Sequence, residues 1–341
     1  MKNESREMSE LVAYGDGKVR LRMAEKPNKS AEDILIRPLV SGICGTDLDI
    51  ISGDIDPSFI SYPVVLGHEW SGEVIETSFL REDIEVGDHV VVQGIIPCNK
   101  CVQCIAGHTN RCLTYDEFGF TRDGGCGSYV CAPAWLVHKI SKKIEPEISA
   151  LIEPMSVVAT GLMKAQIKNG QSILVIGDGS IGLIAAVLSQ NWTPERLDLV
   201  GLRADQRGLA ALSGVDDFML TGTESLQKYD LVIEASGSID GVIRGFNSLI
   251  RGGTLLLLGF PGTGKTIPLS IDELVNGDFS ILGSFGYTTK AWEKSVELVN
   301  SRTLNLDHLV THRFPLTHWE QAIATLGSFV GPRGKVMIKL D

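Results

Sequence analysis

From Glu32 to about Ile148 the apolar residues fall into short runs of β type, broken by glycine and polar turns: DILIRPLV, SYPVVLGHEWSGEVI, GDHVVVQG and GSYVCAPAWLVHKI. This pattern predicts an all-β first part. From Glu153 the period changes. MSVVATGLMKAQI places its apolar residues at helical spacing and is followed by a strand, SILVIG, a glycine turn and a helix, LIAAVLSQ. Further runs, LDLVGL, DFMLTG, DLVIEASG, GTLLLLGF and FSILGSFG, are short and almost wholly apolar, as strands covered on both faces are. The fold class expected is α/β, a doubly wound parallel sheet beside a β-rich part. Beyond about residue 290 come a helix, AWEKSVELVNS, an extended HRFPL, a helix around HWEQAIATLGSF and a closing strand, GKVMIKLD, which can return to the first part. The division expected is residues 1–152, completed by about 291–341, and residues 153–290, packed around a cleft.

A chain of 341 residues exceeds what one ordinary core holds, which agrees with two parts. The formal net charge of -11, with Lys and Arg scattered along the chain, makes nucleic acid and anionic membrane poor partners. No apolar run reaches the roughly 20 residues of a membrane helix and the first ten residues carry no signal-peptide core, so a cytoplasmic location is the expectation.

Gly177-Asp178-Gly179-Ser180-Ile181-Gly182 matches G-x-G-x-x-G where that motif belongs, after a strand and opening a helix. Gly177 permits the tight turn, Gly179 lets backbone N–H groups approach a pyrophosphate, and Gly182 lets helix and strand pack closely. The helix N-terminus at Ser180 and Ile181 favours the anion. Ser236 of EASG and Gly259, at the ends of later strands, complete the candidate cofactor set. An NAD site usually has an acid about 20 residues on; here the second strand ends Gly201-Leu202-Arg203, with Arg207 one helical turn later. Guanidinium groups suit a 2′-phosphate, which favours NADP over NAD. The competing reading leaves both arginines to solvent and gives an NAD ribose to Asp205.

Cys98, Cys101, Cys104 and Cys112 put four thiolate donors within 15 residues, the pattern of a closed, structural zinc site; an iron–sulfur cluster is the rival use. A second donor set lies in GICGTD and GHE. Cys44, His68 and Glu69 offer a thiolate, an imidazole and a carboxylate, three ligands of the kinds zinc takes at catalytic sites, with one position open. Glu153, where the β pattern gives way to the helical one, is a fourth or alternating ligand; the plainer reading is a helix-start carboxylate.

On these residues the sequence resembles the zinc-containing medium-chain alcohol dehydrogenase family. The likeness rests on GICGTD, GHEWSGEV, the four-cysteine lobe, DGGCGSY, IEPMSV, GDGSIG, EASG and the terminal THRFPL and KVMIKL. It implies a GroES-like catalytic domain built from both chain ends around a Rossmann coenzyme domain, with two zinc ions per chain. Catalytic zinc maps onto Cys44, His68 and Glu69, with Glu153 close by, and structural zinc onto the four cysteines. His-Glu adjacency followed by Glu-Pro resembles the polyol, threonine and glucose branch, so polyols and sugars are favoured as substrates. The loop Phe118 to Gly125 is similar to that of aminocyclitol dehydrogenases. Thr46 matches the hydroxyl that touches the substrate oxygen and starts a proton path. Where many relatives carry a histidine five residues after the cysteine, this chain has Asp49, a weaker base near neutrality with its ordinary pKa of about 3.9. Glu117 matches a position that holds a substrate hydroxyl, against the alternative of an exposed loop acid. The family implies a homodimer or homotetramer. The rival functions are a quinone or enone reductase without catalytic zinc, and an NADP-binding regulator whose site has decayed.

Overall fold

The structure is a computed structural model and describes residues 9–23, 25–223, 227–328 and 330–340. The alternating and β-branched runs of the first part become strands. They are β1 (Ser9–Ala13), β2 (Val19–Met23), β3 (Asp33–Ile43), β4 (Val64–Val65), β5 (Glu69–Glu76), β6 (His89–Val92), β7 (Val130–Pro133) and β8 (Val137–Lys139). Two short helices interrupt them, α1 (Gly45–Ser52) and α2 (Val102–Ile105). β1, β2 and α1 are additions to what the pattern predicts. α1 escapes a periodicity search because only Asp47 and Ile50 of its eight residues are buried.

The second part runs α3 (Pro146–Ala150), α4 (Ile152–Ala165), β9 (Ser172–Ile176), α5 (Ser180–Ser189), β10 (Arg196–Gly201), α6 (Arg207–Leu212) and β11 (Asp217–Leu220). It continues with β12 (Tyr229–Glu234), α7 (Ile239–Asn247), β13 (Leu249–Leu257), α8 (Ile271–Gly277) and β14 (Ser280–Gly283). These strands form a six-stranded sheet in the order β11-β10-β9-β12-β13-β14, every pairing parallel. The chain leaves β9 toward one edge and returns at β12 toward the other, so the carboxyl ends of β9 and β12 make the topological switch point where such sheets bind ligands.

The last segment, α9 (Thr289–Ser301), β15 (Val310–Pro315), α10 (Trp319–Gly327) and β16 (Lys335–Lys339), returns to the β-rich part. β16 pairs antiparallel with β3, giving the order β15-β16-β3-β5-β6-β8, with β7 also on β3. The last strand thereby lies beside β3 in one sheet. An apolar cluster runs from Val40 and Val91 through Met155, Val158 and Leu162 to Val175, Leu183 and Trp292, so α4 is the wedge between the two sheets. Pro146–Ala165 is 20 residues long with a mean hydropathy of 1.2, and 72% of it is buried inside the protein, the profile of a core helix.

Candidate active site

Cys44 is the N-cap of α1, and its residue type gives the cap its form. Its backbone is extended, its Sγ accepts the Thr46 N–H at 3.2 Å, and the Asp47 carboxylate accepts the Cys44 N–H at 2.9 Å. A thiol thus takes the place of the usual hydroxyl in a capping box. The same Asp47, 2% exposed, turns its other oxygen to within 3.5 Å of His68 Nδ1. GICGTD therefore sets a candidate metal donor, Cys44, and a buried carboxylate, Asp47, beside His68, and the facing Asp47 Oδ1 and His68 Nδ1 have no hydrogen-bond partner of their own among the described residues.

His68 and Glu69 open β5, and two glycines make room for them. At Gly67, with φ +101°, a Cβ would stand 2.6 Å from Ser41 Oγ and 2.7 Å from the Cys126 nitrogen. Gly42 faces Glu69 across the β3–β5 ladder, where a Cβ would strike the Glu69 carboxylate. The space is taken by Lys335 at the start of β16, whose Nζ lies 2.5 Å from both Glu69 oxygens, with both side chains almost fully buried. Glu153, in the first turn of α4, completes the centre. Donor atoms of His68, Glu69 and Glu153 lie within 4.8 Å of one another, as do those of Cys44, Asp47 and His68.

The electrostatics show what the cluster lacks. Burial alone would lower the His68 imidazole, yet Asp47, Cys44 and Glu153 hold it well above its ordinary value. Glu153 is pushed up to about 8 by burial and by Glu69. Asp47 is raised by burial. Three buried carboxylates and a thiol gather around one lysine and one imidazole, an excess of acid that a divalent cation would balance.

Glu117 is 5% exposed, so it is no solvated loop acid; burial pushes it up to about 8, and it feels the charges of His68 and Glu153. Beside it is Tyr287, fully buried, whose hydroxyl accepts the Ile95 N–H at 3.0 Å. Gly94 lets the Tyr287 hydroxyl come close: a Cβ there would stand 2.8 Å from the Tyr287 oxygen and 3.8 Å from Glu117 Oε1. Phe120 packs its ring 5.3 Å from that of His68. Thr46 is half-buried, whereas Asp49 sits on the exposed side of α1, its carboxyl raised by partial burial and by Asp54.

The four cysteines come together at α2, all donor atoms within 4.8 Å. The Cys112 sulfur accepts the Cys98 N–H at 3.3 Å and the Cys98 sulfur accepts that of Cys101 at 3.4 Å. The N–H groups of Lys100 and Cys101 pull the Cys98 thiol down to about 6, in the direction of thiolate.

At the switch point Gly177 has φ +117° and its Cβ would meet the Ala235–Ser236 peptide at 2.8 Å, while nothing lies within 4 Å of a Cβ on Gly179. The first turn of α5 thus opens onto free space at the N-terminal end of the helix, a fit for a pyrophosphate. Gly182 packs its Cα against the Gly177 carbonyl, and Gly259 lies against Gly237. Ser236 is committed elsewhere: its N–H donates to Glu234 at 2.8 Å and its hydroxyl also donates to Glu234, so it offers the cofactor no free hydroxyl. Arg203 has only 10% of its side chain exposed and lies 3.9 Å from Asp178, whose carboxylate accepts the Leu202 and Arg203 N–H groups at 3.1 and 3.0 Å. Arg207 stands 5.3 Å over the Phe218 ring, and Asp205 is exposed. Asp47, Lys335, Tyr287 and Asp178 are the residues that sequence reasoning missed. Asp47, Asp178 and Lys335 had a signal, lying inside motifs already read, GICGTD, GDGSIG and KVMIKL.

Comparison with known proteins matches this geometry. Residues 30–142 match the alcohol dehydrogenase GroES-like domain, and residues 146–328 match the glucose dehydrogenase C-terminus. Erythritol/L-threitol dehydrogenase of Mycolicibacterium smegmatis is 29% identical over 357 residues, covering 98% of this chain and 97% of its own. L-threonine 3-dehydrogenase of Yersinia pestis is 29% identical over 329 residues, 93% of this chain and 94% of its own. A protein of Sinorhizobium meliloti described as a zinc-binding dehydrogenase, crystallised with NADP, superposes with a TM-score of 0.90 at 26% identity, covering 98% of this chain and 99% of that one. With more than half of its length in one family match and the GroES-like match before it, the chain belongs to the zinc-dependent medium-chain alcohol dehydrogenases, in the polyol and threonine branch, and is an oxidoreductase acting on alcohols.

Proposed function

We propose that the chain oxidises a secondary alcohol of polyol, sugar or aminocyclitol type, with zinc held by Cys44, His68 and Glu69, Glu153 alternating as a ligand, and NADP as hydride acceptor. The observation that carries this reading is the buried excess of acid at Cys44, Asp47, Glu69 and Glu153 against Lys335 and His68. A zinc bound there would lower the pKa of the substrate hydroxyl and the nicotinamide would take the hydride.

The chain's own residues do the rest. Asp47 faces the His68 ring at 3.5 Å, and Lys335 fixes the Glu69 carboxylate in place. Thr46, half-buried at the mouth of α1, receives the hydroxyl proton, and Asp49 on the exposed turn beyond passes it to solvent. Glu117, buried near His68 and Glu153, accepts from a neighbouring hydroxyl of a diol and so favours polyols, because a buried acceptor left unpaired rejects a substrate lacking that group. The four cysteines hold a second zinc that pins the lobe, with no open position for chemistry.

Residues 1–152 with 291–341 form the catalytic part and residues 153–290 the coenzyme part. β14 is the outer strand of its sheet, with Ile271 and Val275 exposed on the neighbouring α8, and a homodimer or homotetramer would use this side. NADP is favoured because the end of β10 offers Arg203, with Arg207 near, and the Asp178 carboxylate is already engaged by backbone N–H groups. The test is a screen of polyols, aminocyclitols and sugars with NADP and NAD in parallel, read by absorbance of the reduced nicotinamide. Turnover with NADP on a vicinal diol supports the reading, and activity confined to NAD overturns the assignment of Arg203.

A further inference from the structure

The turn between α10 and β16 belongs by its pairing to the β3 sheet, but its polar contacts lie on the dinucleotide side of the cleft. Ser180 Oγ donates to the Gly334 carbonyl at 3.0 Å, and Arg203 Nη1 donates to the Gly331 carbonyl at 3.1 Å. Gln206, with no exposed surface, clamps the middle of the turn: its Oε1 accepts the Arg333 N–H at 2.7 Å, and its Nε2 donates to the Arg333 carbonyl at 2.9 Å and to the Asp178 carbonyl. The backbone of Arg333 is thereby fixed against the G-x-G turn and the end of β10.

The Arg333 side chain caps α10, with Nη1 donating to the carbonyls of Thr325 and Ser328 at 2.9 Å each and to that of Leu326. That cap uses one nitrogen of a planar fork with five N–H donors. The group is half-buried, and its basicity is lowered by burial and then by Arg203, with Asp178 opposing. The Arg203 guanidinium lies against the Gly331 carbonyl, two residues before Arg333, with the Asp178 carboxylate 3.9 Å away, and a dianion bound there would gain from both cations. Arg207, over the ring of Phe218, adds to the positive side of the balance.

We propose that Arg333 is the second guanidinium of a pocket for the 2′-phosphate of the dinucleotide, brought beside Arg203 by the C-terminal segment. Discrimination between phosphorylated and plain cofactor is then built from both sheets and made at the seam between them. This inference rests on the NADP reading above.

Calorimetric titration of the full chain with adenosine 2′,5′-bisphosphate and with 5′-AMP tests it without turnover. The wild type binds the bisphosphate at least about tenfold more tightly, the effect of charge-assisted contacts to one phosphate. Arg203→Gln and Arg333→Gln each remove most of that difference and leave 5′-AMP binding intact. If Arg203→Gln closes the gap and Arg333→Gln does not, the role of Arg333 is refuted while the NADP reading stands. Equal weakening of both ligands by Arg333→Gln would reduce it to a helix cap. No preference in the wild type would overturn the cofactor reading and this inference together. Should Arg333→Gln fail to fold, phenylglyoxal labelling of the wild type read by mass spectrometry decides: protection of Arg333 by the bisphosphate and not by 5′-AMP supports the pocket, and equal labelling contradicts it.

Discussion

The two clusters of side chains that could hold a metal ion are built on opposite plans. The cysteine lobe gathers Cys98, Cys101, Cys104 and Cys112 from one short segment at the surface, where backbone N–H groups pull the Cys98 thiol down toward thiolate. The other centre draws Cys44 from the cap of α1, His68 and Glu69 from the start of β5, Glu153 from α4 and Lys335 from β16, all around a buried pocket with unbalanced acid. A local site can be closed and inert, because its ligands need only each other. A site assembled from distant elements places its donors where the sheets meet, next to substrate and cofactor, and needs further residues to hold its charge.

The largest effect expected from this contrast is on turnover. Cys44→Ser should lower kcat/KM by at least about a thousandfold, the several kcal/mol a Lewis acid contributes, with little change in Tm. Cys101→Ser should do the reverse, lowering Tm while molecules that remain folded still turn over, as steady-state kinetics beside thermal melts would show. A full loss of activity with unchanged stability in Cys101→Ser would erase the distinction.

Next in size is Lys335→Met. Removing one partner of a buried ion pair costs roughly 3–5 kcal/mol, so denaturant unfolding of the metal-free protein should reveal a loss of that order. Zinc-loaded protein should lose less, because the metal supplies the missing positive charge to Glu69. An equal loss in both states would mean that Glu69 does not face the metal.

A smaller effect is expected at the substrate. Glu117→Gln removes an ionisable acceptor and should raise KM for a polyol by about tenfold while a simple secondary alcohol is affected less; equal effects on both would leave Glu117 without a part in selection. A pH effect is expected away from both sites. Burial, with Arg81 nearby, pushes the His138 imidazole down from 6.5 to about 4. Its contribution is full above about 6.5 and is lost as pH falls toward 4, up to roughly 3 kcal/mol. Wild type and His138→Gln should therefore converge in stability as pH is lowered through that window.

How much of this was legible in the sequence follows the same divide. The four cysteines, the G-x-G-x-x-G turn and the parallel strands are local patterns, and periodicity and spacing expose them. Cys44, His68, Glu69 and Glu153 could be picked out by type and motif. The roles of Lys335, Tyr287 and Arg333 could not, because they come from contacts between residues far apart in the chain: Lys335 meets Glu69 across 266 positions and Arg333 meets Gln206 across 127. Ser236 adds a contact that spacing does not reveal, its hydroxyl donating to Glu234 two residues back.

The central claim is one chain with two zinc ions, one holding a lobe and one doing chemistry. Metal analysis of the wild type, Cys44→Ser and Cys101→Ser, each assayed for turnover in the same preparation, tests it most directly. The account predicts two zinc ions per chain in the wild type and one in each variant, with turnover lost only when the Cys44 site is emptied. Wild-type protein that is active with a single zinc ion, or Cys44→Ser protein that keeps both ions and its activity, would contradict it.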